Sequence, residues 1–250
     1  MKRPENKLQE LVQRLQTACR DNLVSVVLYG SAAREEFHEQ FSDVNTLVIF
    51  RDLSAGALSD IAPVVRWWSH EERFTPPLTM TLDELRESAD VFAIELFDIQ
   101  STHKTLFGED VVSSIRVPMN LHRVEVEHEL RTILLRLRQH LLLAPDNEEE
   151  LRRVLAKSAS SVITLVRHAL IATGKTPPGG KAQVLEQAGK VFGFDARPLQ
   201  TILELRANPQ HSLNVLEIYH ACMSAIGRVA HELDTHVPKR HLQKMSQTGS

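Results

Sequence analysis

Two apolar runs, residues 26–29 and 44–49, flank a Gly30-Ser31 turn and a polar spacer, and this pattern constrains the chain more than any other feature. Each run has the length of a buried strand, and the spacer has the composition of a short polar helix. The predicted order is strand, glycine turn, helix, strand. Gly30 lets the backbone come close to a ligand, and a helix opening at Ser31 would turn free N–H groups and its positive dipole end toward a phosphate. Asp43 opens the second strand, where a metal ion could bridge its carboxylate to that phosphate. Asn45, two residues on, points to the same face as Asp43.

The rest of the chain sets the class. At 250 residues and 42% hydrophobic it can bury a sizeable core, and its length allows one or two domains. The net charge is −3, the charged residues are evenly mixed, and aromatics make up 5%. That balance argues against a nucleic-acid partner and fits a free nucleotide better, although one local basic patch is compatible with it. Cys19 and Cys222 are too far apart in sequence to suggest a disulfide framework or a zinc site. The first residues are polar, unlike a signal segment, and no run approaches the ~20 apolar residues of a membrane span. A cytoplasmic setting without a membrane partner is expected.

Leu8, Leu11, Val12, Leu15 and Ala18 share one helical face, so the first twenty residues should pack on the sheet. Strands are predicted at residues 23–29, 44–50 and 91–99, with a helix at 57–69. A short strand at 78–80 should lead into a helix at 81–88, opened by the capping box Thr81-Leu82-Asp83-Glu84. After Pro118 the periodicity becomes helical throughout. Five segments, with breaks at Pro145-Asp146-Asn147, at Gly174 and at Pro177-Pro178-Gly179-Gly180, predict an antiparallel bundle. The expected organisation is an α+β chain: a small mixed sheet with helices over residues 1–118, an all-α bundle over 119–237 and a disordered tail over 238–250.

The strand, Gly30-Ser31, the spacer and the Asp43-Val44-Asn45 strand together resemble the signature of the nucleotidyltransferase superfamily, which includes kanamycin nucleotidyltransferase and DNA polymerase beta. The resemblance covers roughly residues 20–110. It implies that Gly30 and Ser31 hold the triphosphate of an NTP, with Arg34 adding charge. It also implies Mg²⁺ (or Mn²⁺) on Asp43 and its partners, since two ions about 4 Å apart share carboxylates in such chemistry. Asn45 replaces the family's second carboxylate; its carbonyl can ligate Mg²⁺ but brings no charge. The run Ile94-Glu95-Leu96-Phe97-Asp98-Ile99 resembles the strand bearing the third carboxylate, placing Glu95 as metal ligand or general base. Asp98, on the opposite side of a regular strand, is the second choice. The implied activity is transfer of a nucleoside monophosphate to a hydroxyl acceptor, with the bundle helping to enclose that acceptor. The alternative is a catalytically degenerate nucleotide-binding protein, regulatory or antitoxin-like. A homodimer or a protein partner through the bundle stays open.

Other motifs carry less. Gly174-Lys175-Thr176 lacks the upstream glycine of a P-loop. Arg-x(4–6)-His spacings at Arg116–His122, Arg123–His128 and Arg206–His211 match a helical ribonuclease pattern, but chance supplies such hits in a chain with 12 histidines. His168, His220 and His231 read as core-edge or surface residues, Trp67-Trp68 as packing residues, and Glu148-Glu149-Glu150 as helix N-terminal charge.

Overall fold

The computed structural model describes residues 5–33, 44–207 and 214–235. It divides into two compact units, Met1–Pro118 and Met119–Ser250. Arg34, Asp43, the predicted spacer helix and the tail after Val237 lie outside the described residues.

In the first unit, helix α1 (Glu5–Cys19) leads to strand β1 (Leu23–Tyr29), and strand β2 (Asn45–Phe50) follows. Helix α2 (Ala55–Arg66), strand β3 (Leu78–Thr81), helices α3 (Leu82–Glu87) and α4 (Ala93–Ser101), and strand β4 (His103–Gly108) complete it. The sheet order is β3-β2-β1-β4. β1 pairs antiparallel with both β2 and β4, whereas β2 and β3 run parallel. Side-chain alternation splits the core in two. Val26, Leu28, Val48 and Phe50 pack with α1, α2 and Trp68 on one face. Val27, Leu47 and Ile49 pack with Leu85, Leu96 and Ile99 on the other.

Local chemistry explains most boundaries. Leu8, Leu11 and Leu15 of α1 are buried, as the periodicity requires. Thr81 Oγ1 accepts from the Glu84 N–H at 3.1 Å while the Glu84 carboxylate accepts from the Thr81 N–H at 2.7 Å, completing the capping box. After α2 the chain makes a wider turn over Trp67–Glu71. There Trp68 donates from Nε1 to the Thr75 carbonyl at 2.9 Å and stacks on Phe74. Trp67 lies under the Arg14 guanidinium at 4.1 Å, so both tryptophans pack.

The structure corrects the third strand. Residues 91–99 do not form one: α4 occupies Ala93–Ser101, and the strand is β4, ten residues later. Ala93, Ile94, Leu96 and Ile99 are buried while Glu95 is exposed, which is a helical rather than an alternating pattern. An apolar run this short fits either period, and the good helix formers Ala, Glu, Leu and Gln tip it.

β4 is followed by a turn organised by Asp110. Its carboxylate accepts from the Val112 and Ser113 N–H groups at 3.2 and 3.1 Å, from Ser113 Oγ at 2.6 Å, and meets His103 Nε2 at 3.2 Å. The Ser113 hydroxyl, then the Ser113 amide and the nearby His103, hold the Asp110 carboxyl below its ordinary value of 3.8. A lowered folded-state pKa means stabilisation that is complete above the unfolded value and lost as pH falls through the folded one. Asp110→Ala should therefore cost about 1 kcal/mol at neutral pH, kept small because water competes at this half-exposed carboxylate. The difference from wild type should vanish in acid, below the ordinary carboxylate range. Urea unfolding across pH checks this; a pH-independent difference would contradict it.

The second unit is a bundle of α5 (Met119–Leu143), α6 (Glu148–Ala172), α7 (Lys181–Phe192), α8 (Arg197–Ala207) and α9 (Val215–Thr235). α6 is central and packs against the other four. It is long and apolar enough to cross a membrane by length and composition, but half of that stretch is buried in the bundle, as in a core helix. Asn147 caps it by accepting from the Glu150 N–H, with Glu148, Glu149 and Glu150 in the first turn. α7 ends at Gly193, whose φ of 70° makes the left-handed cap that glycine adopts without strain. The buried stripe of α5 is His122, Val126, Leu130, Leu134 and Leu137, whereas Val124 is exposed. Leucines occur all round α5, so its inner face is poorly marked in sequence. His122 and His168 are both fully buried, with Nε2 of the first 2.8 Å from Nδ1 of the second. His168 is thus a core residue rather than an edge one, while His220 and His231 are exposed.

Candidate nucleotide site

The end of β1 collects the predicted residues that are described. Strand register sets Asn45 of β2, Tyr29 of β1 and His103 of β4 side by side across the sheet. Tyr29 packs with the cluster that includes Leu96 and Ile99 of α4, and Asn45 shares the parity of Leu47 and Ile49 in that cluster. The row therefore lies on the α4 face. Gly30 follows Tyr29 with φ of 75° and begins a single 3₁₀ turn, Gly30–Ala33. A Cβ at Gly30 would sit 3.6 Å from Asn45 Nδ2, so the turn lies directly beside the Asn45 amide. The Gly30 N–H donates to the Thr102 carbonyl at 3.0 Å, tying the turn to the end of α4.

Glu95 reaches the same place from α4. Burial, and after it the Glu95 carboxylate, push the Tyr29 phenol above its ordinary value of 10.0. The carboxylate is thus close enough to act on Tyr29 while remaining exposed. Because α4 is a helix, Asp98 is one turn from Glu95 on neighbouring surface, not on the opposite side as strand alternation predicted. The alternation argument for ranking the two no longer applies.

The structure brings Gly30 and Asn45 together at one end of the sheet, with Glu95 in electrostatic reach of Tyr29 there. Ser31 lies in the turn, but its side chain, like Arg34 and Asp43, is outside the described residues. Sequence reasoning missed Tyr29 and His103. Tyr29 closes the strand immediately before the glycine, so register marks it once β2 is placed; His103 could not be found while β4 was unrecognised. His103 Nδ1 lies 3.1 Å from the Gln100 carbonyl, and its Nε2 faces Asp110.

Over the described residues the strands read LVSVVLY, NTLVIF, LTMT and HKTLFG, with no acidic residue among them. Among the described residues no three His, Cys, Asp or Glu side chains come together to hold a metal ion. A pair of Mg²⁺ ions needs carboxylates shared between them, and one amide with one exposed helix carboxylate does not supply that set. The described residues alone do not make up that set, and Asp43, the strand carboxylate expected in it, lies outside them.

The mixed four-stranded sheet with its helices, followed by a helical bundle, makes this a nucleotidyltransferase-type fold. Among solved structures the chain is similar to spectinomycin adenyltransferase from Enterococcus faecialis, solved with ATP and spectinomycin. That likeness spans 90% of this chain and 98% of the other at 15% identity, with a TM-score of 0.54. A nucleotidyltransferase-like protein from Exiguobacterium sibiricum 255-15 aligns over 90% of this chain and 75% of its own at 14% identity, with a TM-score of 0.39. No protein-family model matches the chain, and no curated protein matches it in sequence.

Proposed function

We propose that this protein binds a nucleoside triphosphate at the Gly30 end of the sheet and works through that binding, as a regulator, rather than as a nucleotidyltransferase with a full metal centre. One observation carries the reading: the sheet end retains the Gly30 turn, and beside it stands the uncharged Asn45 amide, with Tyr29 next to it in register, where the family resemblance implies a second carboxylate. Gly30 and Ser31 would face the phosphates, and Arg34 would add charge to them. Tyr29, kept protonated by burial and by Glu95, can donate a hydrogen bond to a phosphate or base oxygen. The ATP present in the Enterococcus protein supports the choice of ligand class.

A second reading is Mg²⁺- or Mn²⁺-dependent transfer of a nucleoside monophosphate to a hydroxyl on a small molecule. Its support is the Glu95 carboxylate, whose charge is felt at Tyr29 and which could serve as a general base there. Asp43 would be the strand carboxylate of that site and Asn45 its weak partner.

Thermal unfolding tests the nucleotide site that both readings share, and transfer of label separates the two. ATP at about 100 times its Kd should add about 2.7 kcal/mol, raising Tm by several degrees. The Ser31→Ala/Asp43→Ala double variant should lose that shift while keeping its own Tm. An unchanged shift in the double variant would place the nucleotide elsewhere. Label from α-³²P-ATP should reach no acceptor with the wild type. Turnover by the wild type with Mn²⁺ would establish the second reading instead.

A further inference from the structure

In a chain with near-balanced charge, two facing helices of the bundle are one-sided. Residues 130–143 of α5 and 151–172 of α6 contain no Asp or Glu, yet they carry Arg131, Arg136 and Arg138, and Arg152, Arg153, Lys157 and Arg167. Between these helices lies a cleft of about 290 Å³. Arg136 and His140 line it from α5, and Arg153 and Lys157 from α6. Each pair is spaced i,i+4, so the two helices present their cationic groups on adjoining turns, across one groove. The floor is apolar, formed by Ile133, Leu137 and Val154, and Ser161 adds a hydroxyl at the rim.

We propose that this cleft is a second ligand site, separate from the Gly30 end of the sheet, for a small organic phosphate that carries an apolar group. The lining selects this class by charge, size and shape. No carboxylate lines the cleft, which disfavours cationic ligands, and no Phe, Tyr or Trp ring lines it, which disfavours the stacked bases of single-stranded nucleic acid. Guanidinium and ammonium groups together provide the forked and point-charge donors that a phosphate takes up. The volume is at the lower end of small-molecule sites, and the aliphatic floor offers the phosphate's organic part a dry surface. Glu150 holds Arg153 through Nε and Nη2 at 2.6 to 2.9 Å, so one cation is positioned before any ligand arrives. With that carboxylate counted, Arg136, Arg153 and Lys157 still leave the cleft positive.

Calorimetric titration of the full-length protein with phenyl phosphate, inorganic phosphate and phenol tests the assignment. Phenyl phosphate should bind more tightly than inorganic phosphate, and phenol should not bind. Arg136→Ala and Lys157→Ala remove exposed side chains and should each weaken phenyl phosphate about tenfold, with unchanged far-UV circular dichroism. The Ser31→Ala/Asp43→Ala variant should bind it as the wild type does, which keeps this site distinct from the nucleotide site. The proposal is overturned if phenyl phosphate does not bind, or if its affinity is indifferent to Arg136→Ala and Lys157→Ala. It is equally overturned if a short RNA binds through those residues more tightly than phenyl phosphate, which would make the groove a nucleic-acid surface.

Discussion

Gly108→Ala is expected to destabilise the first unit by more than about 4 kcal/mol, enough to unfold it in most conditions. Gly108 ends β4 with φ of 75°, and a Cβ there would lie 2.0 Å from the Val24 carbonyl oxygen and 3.2 Å from Ser25 Cα. Those are backbone atoms of the central strand, so no flexible side chain can yield. Relief requires moving β4 away from β1, which also breaks the Ser25–Gly108 pairing and the Ser25 Oγ bonds to the Phe107 and Glu109 carbonyls. Gly174→Ala supplies the control. Its φ is 74°, but nothing lies within 4 Å of the added carbon. It should cost only the left-handed backbone term, about 1 kcal/mol. Both tryptophans of the chain are in the first unit, so tryptophan fluorescence during urea unfolding reads the Gly108 effect directly, and far-UV circular dichroism reads the Gly174 control in the bundle. A loss no larger than that of Gly174→Ala would show that β4 can shift freely.

The buried imidazole pair should give the largest effect in the bundle. His122→Leu leaves His168 in place but sets a buried ring nitrogen against an alkyl group, which should cost about 2–3 kcal/mol. His168→Leu should cost a similar amount. The double variant His122→Leu/His168→Leu should be less destabilised than the two losses added together, since it removes both polar partners and fills the space with side chains of similar volume. Far-UV circular dichroism in guanidinium follows the bundle, and tryptophan fluorescence should report an unmoved first unit. Simple additivity would mean that the hydrogen bond between the rings contributes nothing.

How much of this was legible in the sequence depended on how many independent signals each element carried. β1 is an apolar run closed by a glycine, α3 opens on a capping box and α6 on an asparagine cap, and each lies close to where its pattern put it. Residues 91–99 offered only an apolar run, and helix formation won there. β4 was hidden because His103, Lys104 and Thr105 make half of it polar, and its strand character comes from pairing with β1. The consequences reach the site. Asn45 was placed by strand parity alone, and the structure sets it beside Gly30, whereas Glu95 comes to the same region on a helix instead of a strand. The α5–α6 cleft could not be seen from overall charge, because acidic residues elsewhere in the chain cancel it.

The middle place of β1 in the sheet bears on how the protein is made. β1 can meet β2 soon after both have left the ribosome, but its other edge waits for β4, paired from Tyr29–His103 to Ser25–Gly108. At ordinary synthesis rates that interval is on the order of ten seconds. Throughout it, the unpaired N–H and C=O groups of a strand rich in valine and leucine remain open to pairing with another nascent chain. Vulnerability during synthesis therefore concentrates in the first unit. In the bundle α5 meets α6 at once and waits for α9, the other helix it packs against, but a helix closes its backbone hydrogen bonds within itself and leaves no open edge while it waits.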